Sequence, residues 1–257
     1  FPPAPVPFPR RLLAVWAHPD DEAYLSAGLM ARVVDAGGSV TVLTATRGEL
    51  GRDDPDPSTQ VAFAAQRQRE LEASLAQLGV GDLRFLDLAD GACAAADGAT
   101  IVTRLLDTVA EVRPDVVVTF GPDGITGHSD HRAVCGWTTD AWVRHGGFEL
   151  LYATMSDDHL ARHADLHAEL GLFDDFADGR AFSVPAEEMA LTCALDEAEL
   201  TRKRAALARH ASQTEGLAAM MGEATYRTWW RDETFRRPTA AERRVVPTSA
   251  RCLGARR

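Results

Sequence analysis

The chain has 257 residues, of which 46% are hydrophobic and 25% charged, and 38 acidic side chains against 27 basic ones leave a net charge of −11. That length accommodates one large α/β domain or two small ones around a sizeable core. A negative field repels phosphate backbones and anionic lipid surfaces, which argues against nucleic acid and membranes as partners.

Cys93, Cys135, Cys193 and Cys252 lie far apart with no C-x-x-C spacing, so free thiols are expected rather than a disulfide framework. No apolar run approaches the ~20 residues that span a bilayer, and no signal-peptide pattern is visible. A cytoplasmic location is the expectation, although the chain opens on Phe1 rather than Met, which leaves a cleaved leader open.

Residues 1–10 hold five prolines and read as an extended arm. RLLAVWA (11–17) is a short apolar run of the buried-strand type. A helix is expected over 22–36, stopped by Gly37-Gly38, and SVTVLTAT (39–46) reads as a second strand. Residues 47–59, rich in Gly, Asp and Pro, read as a loop, and a helix follows over 60–78 with Gly79 as its cap. Then come a strand at 83–88, a helix at 99–112, a strand at 115–122, a helix at 130–144 and a strand at 148–155. This alternation predicts right-handed βαβ units and a Rossmann-like, mostly parallel sheet with helices on both faces. Beyond 156 the pattern predicts a polar helix near 157–170, a β-rich stretch near 180–195 and a helix over 196–210, a C-terminal β/α elaboration. The domain boundaries expected are an arm at 1–10, one domain over 11–235 and an irregular Arg-rich tail at 236–257.

Ligands of open α/β sheets bind outside the carboxyl ends of the strands. Ala17-His18-Pro19-Asp20-Asp21-Glu22 sits directly after the first strand. His18 and Asp21 are candidate zinc ligands, with Asp20 a second carboxylate between them. Alone, this segment reads equally well as a helix start, where the macrodipole favours acids by roughly 0.3–1 kcal/mol each. The second segment shifts that balance. Gly121 to His131, GPDGITGHSDH, follows the fourth strand, and a capping role explains its Ser and Asp but not two histidines. Eight histidines occur in the chain, and three fall in these two loops. His18, Asp21 and His131 form a His₂-carboxylate set of the kind that holds catalytic zinc with a position left for water. Asp20 is placed to take the water's proton, and His128 to stabilise an oxyanion and protonate a leaving nitrogen. The same donors suit Fe²⁺, Co²⁺ or Ni²⁺.

Together AHPDDE and GHSDH resemble the LmbE-like, or PIG-L, deacetylases, and the likeness extends over roughly residues 11–215. It implies a zinc-dependent N-deacetylase with the roles above, and Asp130 as a partner orienting a histidine. Thr46 to Gly51 resembles the family's loop after the second strand, where Glu49 would support the site or simply be solvated. Arg67 with Glu70 and Leu71 resembles its R-x-x-E-L helix, in which the arginine helps bind substrate; the alternative is an exposed ion pair worth only ~0.3–0.5 kcal/mol. KRAALARHASQ (203–213) resembles a late family segment, with His210 structural or lining the cleft. Trp229 and Trp230 are candidates for a substrate-binding wall, whereas Trp137 and Trp142 read as core. Residues 156–195 match no part of the family and are expected to shape specificity.

The expected reaction is removal of an N-acetyl or N-acyl group from an amino-sugar conjugate, with an antibiotic intermediate such as a glycopeptide pseudoaglycone as the leading substrate. A mycothiol-type thiol-precursor deacetylase is the alternative among enzymes. A sugar- or nucleotide-binding module that kept the metal is the alternative outside them; it would need neither Asp20 nor His128. A Rossmann dehydrogenase is disfavoured, since no G-x-G-x-x-G follows the first strand.

Overall fold

The structure is a computed structural model that describes residues 6–52, 54–176 and 181–244. The first half of the proline-rich arm, residues 1–5, and residues 245–257 of the tail, Cys252 among them, lie outside the described residues.

Five parallel strands form the centre: β1 (Arg11–Trp16), β2 (Ser39–Thr46), β3 (Asp82–Leu88), β4 (Val116–Phe120) and β5 (Glu149–Ala153). Every residue of β4, and all but the first of β1 and β2, is buried. These strands are therefore covered on both faces, which is why they read as unbroken apolar runs rather than alternating ones. Helices α1 (Asp21–Leu25), α2 (Ala27–Asp35), α3 (Pro57–Leu78), α4 (Gly98–Val112), α5 (Gly124–Gly127) and α6 (Ser129–His145) form the crossovers.

The later elements are β6 (Met155–Ser156), α7 (Asp157–Arg162), α8 (Ala164–Glu169), β7 (Ser183–Val184), β8 (Leu191–Ala194), α9 (Glu197–Leu207), α10 (Ala211–Met221), α11 (Glu223–Trp229) and β9 (Asp232–Arg236). Strands β9 and β8 extend the sheet antiparallel beyond β5, giving the order β3-β2-β1-β4-β5-β9-β8, and β6 pairs with β7 apart from it. The mostly parallel Rossmann-like sheet with a C-terminal β/α elaboration is as expected.

Two differences have physical causes. The single helix expected over 22–36 is broken at Ser26, whose φ is −148°. The break frees the N-terminus of α2, where Gly28 and Leu29 donate their N–H groups to the Glu233 carboxylate (2.8 and 2.9 Å). Lys203 completes this buried knot through Glu233 (2.8 Å) and the Tyr24 carbonyl (2.6 Å). The second difference is β9, which has no long apolar run to announce it and ends on Arg236, the residue where the tail was expected to begin. Cys93, Cys135 and Cys193 are free thiols and buried, as their spacing suggested. No helix among the described residues is long and apolar enough to cross a membrane.

The chain leaves β1 for β2 and β3 on one side and later for β4 and β5 on the other, so the topological switch point lies between the paired strands β1 and β4. A crevice opens at the carboxyl ends of such strands. The two histidine-bearing segments are the ones that leave β1 and β4.

Candidate metal centre and active site

The turn after β1 is held in an unusual shape. Asp20 has φ 118° and ψ −28°, a conformation that L side chains rarely adopt and that persists only where surroundings enforce it. Its N–H donates to Glu22 Oε2 (2.9 Å), and Arg67 grips both the Pro19 carbonyl and Asp20 Oδ2 (2.5 and 3.3 Å). The His18 N–H donates to Asp21 Oδ2 (2.7 Å). These bonds turn His18, Asp20 and Asp21 toward one mouth.

The segment after β4 is prepared in the same way. Phe120, the last residue of β4, stacks on the His131 ring at 4.0 Å and 9° and meets Trp16, the last residue of β1, edge-on at 4.9 Å. His131 Nδ1 lies 2.9 Å from the Gly124 carbonyl. A carbonyl can only accept, so Nδ1 carries the hydrogen and Nε2 presents a lone pair. Gly124 has φ 74°, and a Cβ there would press on Arg132 and His131 at 3.1 and 3.2 Å, which favours glycine at the turn that offers this carbonyl.

His18 Nε2 faces Asp90 Oδ1 (3.0 Å) and Asp130 Oδ2 (3.3 Å), so it donates and leaves Nδ1 to look inward. His18 Nδ1 and His131 Nε2 then stand 3.2 Å apart, and the Asp21 carboxylate oxygens lie 3.7 and 3.5 Å from them. Donor atoms of a tetrahedral zinc with bonds of ~2.0–2.1 Å are about 3.3 Å apart. Two ring nitrogens and a carboxylate converge at this spacing, and the donor set fits a divalent ion.

The described residues also offer two groups of three donors lying within 4.8 Å of one another: His18, His128 and His131, and His18, Asp90 and Asp130. Both contain His18, and its inward nitrogen belongs to the first face. The rings of His18 and His131 lie 4.9 and 5.0 Å from the half-buried His128. The Asp130 N–H donates to His128 Nδ1 (3.2 Å), which places any hydrogen of a neutral ring on Nε2.

The acids set the charge of the site. Burial opposes a positive His18, but hydrogen bonds to Asp130 and Asp90 and the charge of Asp21 overcome it and raise its pKa to about 10, so with no ion bound Nδ1 carries a proton toward His131 Nε2 that a bound cation would displace. Burial raises Asp90, but its bond to His18 prevails and lowers it to about 2. Burial drives His131 the other way, well below the usual imidazole range, which keeps it a lone-pair donor. Burial lifts Asp20 to about 6, with Arg67 restraining the rise. A carboxylate poised near neutrality is suited to proton transfer.

The other residues singled out from the sequence fall around this centre. Asp130 accepts from the Gly91 and Cys93 N–H groups (2.8 and 3.2 Å) and orients His18. Glu49 accepts from the Asp90 N–H (2.8 Å), while Asp90 accepts from the Leu50 N–H (2.9 Å), so Glu49 reaches the site through Asp90. Arg67 is buried and not an exposed ion pair; its remaining contact is to the Gly48 carbonyl (2.8 Å). Trp229 and Trp230 line a cavity beside the histidines, and Trp229 is buried as well.

Sequence reasoning missed Asp90, whose one signal is its place just past the end of β3, a third strand-end loop. It also missed the buried pair under Asp20, in which His210 Nε2 lies 2.7 Å from Glu22 Oε1. His210 is fully buried, so it is structural rather than a cleft wall.

Two cavities meet at His131. A polar one of about 310 Å³ is lined by His18, Arg67, Asp90 and His128, and an apolar one of about 240 Å³ by Leu172, Trp229 and Trp230; Asp20, Asp21, His131 and Gln213 border both. A larger cleft of about 560 Å³ between Arg47 and the start of α3 holds no histidine.

Comparison with known proteins places the chain in a family. Residues 13–142 match the family described as PIG-L, GlcNAc-PI de-N-acetylase. The 1D-myo-inositol 2-acetamido-2-deoxy-alpha-D-glucopyranoside deacetylase of Rhodococcus jostii is 34% identical over 243 residues, covering 79% of this chain and 82% of that protein. The protein of the same name from Kineococcus radiotolerans is 40% identical over 167 residues, 54% of this chain, and the matched stretch spans about half of that relative, 46%. The fold resembles that of N,N'-diacetylchitobiose deacetylase from Pyrococcus horikoshii, with a TM-score of 0.65 at 19% identity over 94% of this chain and 88% of that one. On the profile match and the Rhodococcus relative together, the chain belongs to the PIG-L, GlcNAc-PI de-N-acetylase, family.

Proposed function

We propose that this protein is a metal-dependent N-deacetylase of N-acetylglucosamine conjugates. The observation that carries the reading is the convergence of His18 Nδ1, His131 Nε2 and the Asp21 carboxylate at 3.2–3.7 Å, with Asp20 beside them. His18, Asp21 and His131 would hold a divalent cation, with zinc the first choice for two imidazoles and a carboxylate. Such an ion acidifies a water to a pKa near 7 and polarises a carbonyl.

The chain's own groups do the rest. Asp20, raised toward neutrality, accepts the proton of the attacking water. The water oxygen bonds to the acyl carbon, and the C–N bond breaks. His128 faces the polar cavity, where its Nε2–H donates a hydrogen bond to the carbonyl oxygen as charge develops, and Asp20 passes the proton it took from water to the leaving nitrogen. The products are a carboxylate and a free amine. Asp130 and Asp90 hold the His18 ring so that Nδ1 faces inward. A binding module would have no use for Asp20 in its strained turn.

The names of the relatives favour a small glucosaminyl-polyol conjugate, of the kind a mycothiol-type deacetylase takes, over the antibiotic intermediate placed first on sequence grounds. The test is acetate release from N-acetylglucosaminyl-inositol and from a glycopeptide-linked N-acetylglucosamine, with zinc added and with a chelator. The reading expects metal-dependent release, faster from the inositol conjugate. Release that ignores the chelator would contradict it.

A further inference from the structure

The apolar cavity is not needed to hydrolyse an acetamide. Its volume of about 240 Å³ is some eight times the ~30 Å³ of one liquid water, whereas a methyl group is about the size of one water. Its wall is made by Leu25, Phe120, Ile125, Leu172, Trp229 and Trp230.

Three observations mark this wall as built. Trp229 Nε1 donates to His167 Nε2 (2.9 Å), which fixes the indole. Trp230 stacks on His159 at 4.7 Å and 25°. Ile125 has φ 64°, an outlier for a β-branched residue, and its buried side chain forms part of the lining.

The placement of His128 decides what enters. His128 borders the polar cavity and not the apolar one, while Asp20, Asp21 and His131 border both. The scissile amide therefore sits at the waist between the two. Its carbonyl oxygen accepts from His128 on the polar side, where Arg67 and Asp90 also suit the hydroxyls of the sugar. The acyl chain then points the other way, toward Leu172, Trp229 and Trp230. We propose that the apolar chamber receives the acyl chain, and that the preferred substrates carry N-acyl groups of about four to eight carbons rather than acetyl. The inference rests on the deacetylase reading above and on the roles given there to Asp20 and His128. The reaction is unchanged: water adds to the acyl carbon, the C–N bond breaks, and a fatty carboxylate leaves with the free amino sugar.

The experiment compares kcat/KM of the zinc-loaded enzyme on N-acetyl, N-butanoyl, N-hexanoyl and N-octanoyl glucosamine, with alkyl glycosides of N-acetylglucosamine as a second series. Each buried methylene should raise kcat/KM by about fourfold until the chamber is full. Leu172→Trp, which narrows the chamber at a half-buried position, should lower the hexanoyl-to-acetyl ratio at least tenfold. Values that fall with acyl length, or a ratio indifferent to Leu172→Trp, would overturn the proposal while leaving the deacetylase reading intact. A gain confined to the alkyl glycosides and erased by Leu172→Trp would assign the chamber to the aglycone and overturn it as well. No turnover of any N-acyl substrate, acetyl included, would sink the deacetylase reading and the proposal together.

Discussion

Two groups of three histidines lie in this chain, and their surroundings make them different objects. His18, His128 and His131 come from two distant strand ends and are ringed by Asp21, Asp90 and Asp130. His159, His163 and His167 come from the consecutive short helices α7 and α8 and the residue that joins them, four residues apart, with ring centroids 4.9–5.9 Å from one another. Their neighbours are Trp229, Trp230 and Phe173. Burial lowers the pKa of His159 to about 3 and that of His167 to about 4, with further lowering from the neighbouring cationic groups. Acids make the first group a place for a cation; aromatics make the second a support for the wall of the apolar chamber. Sequence spacing alone would rank the second group as the better ligand set, since i, i+4, i+8 lies along one helix face. The carboxylates that decide the matter arrive from elsewhere in the fold.

The comparison can be broken first by metal removal. Dialysis against a chelator should abolish acetate release, and added Zn²⁺ should restore it; triple substitution of His159, His163 and His167 by Gln should leave zinc content at one equivalent by mass spectrometry. Loss of zinc from that variant would reverse the assignment of the two groups.

Asp20→Asn should retain zinc and lower kcat by roughly 10²–10⁴-fold, the range for a general base. Zinc loss with activity kept on added metal would mean that Asp20 is a ligand. His128→Ala should follow with a fall of about 10²–10³-fold in kcat, the scale of one lost transition-state donor. An unchanged kcat would remove His128 from the chemistry.

His167→Ala tests the other group. It strands the buried Trp229 N–H and should cost about 1–3 kcal/mol of stability by denaturant titration, with zinc content unaffected.

The smallest effect is one of pH. His159 and His167 have folded pKa values below the ordinary 6.5, so the unfolded chain binds more protons between pH 6.5 and about 4. Their stabilising contribution is complete above pH 6.5 and is lost as pH falls toward those folded values. Replacing both by Gln should flatten the decline in stability between pH 6.5 and 4; an unchanged slope would show that other groups cause it.

How much of this could be read from sequence follows from the same contrast. The parallel strands announced themselves because burial on both faces requires unbroken apolar runs such as VVVTF. His18, Asp20, Asp21 and the GHSDH segment were legible because strand-end loops are where an α/β sheet puts its chemistry. Asp90 was not, since one Asp beside a Gly is ordinary turn chemistry and its meeting with His18 depends on β3 and β1 lying two strands apart. The Glu22–His210 pair joins residues 188 positions apart and has no local signal at all. Strand β9 escaped notice because DETFR holds a single apolar residue, Phe235, and its Glu233 is buried by the N-terminus of α2 and Lys203 rather than by any feature of its own segment.

The central claim concerns one position in space, and anomalous diffraction at the zinc absorption edge from crystals grown with Zn²⁺ addresses it directly. The predicted result is a single strong peak bonded to His18 Nδ1, His131 Nε2 and the Asp21 carboxylate, with Asp20 close by and unbonded. A peak on the far side of the His18 ring, between Asp90 and Asp130, or no peak at this strand edge, would contradict it.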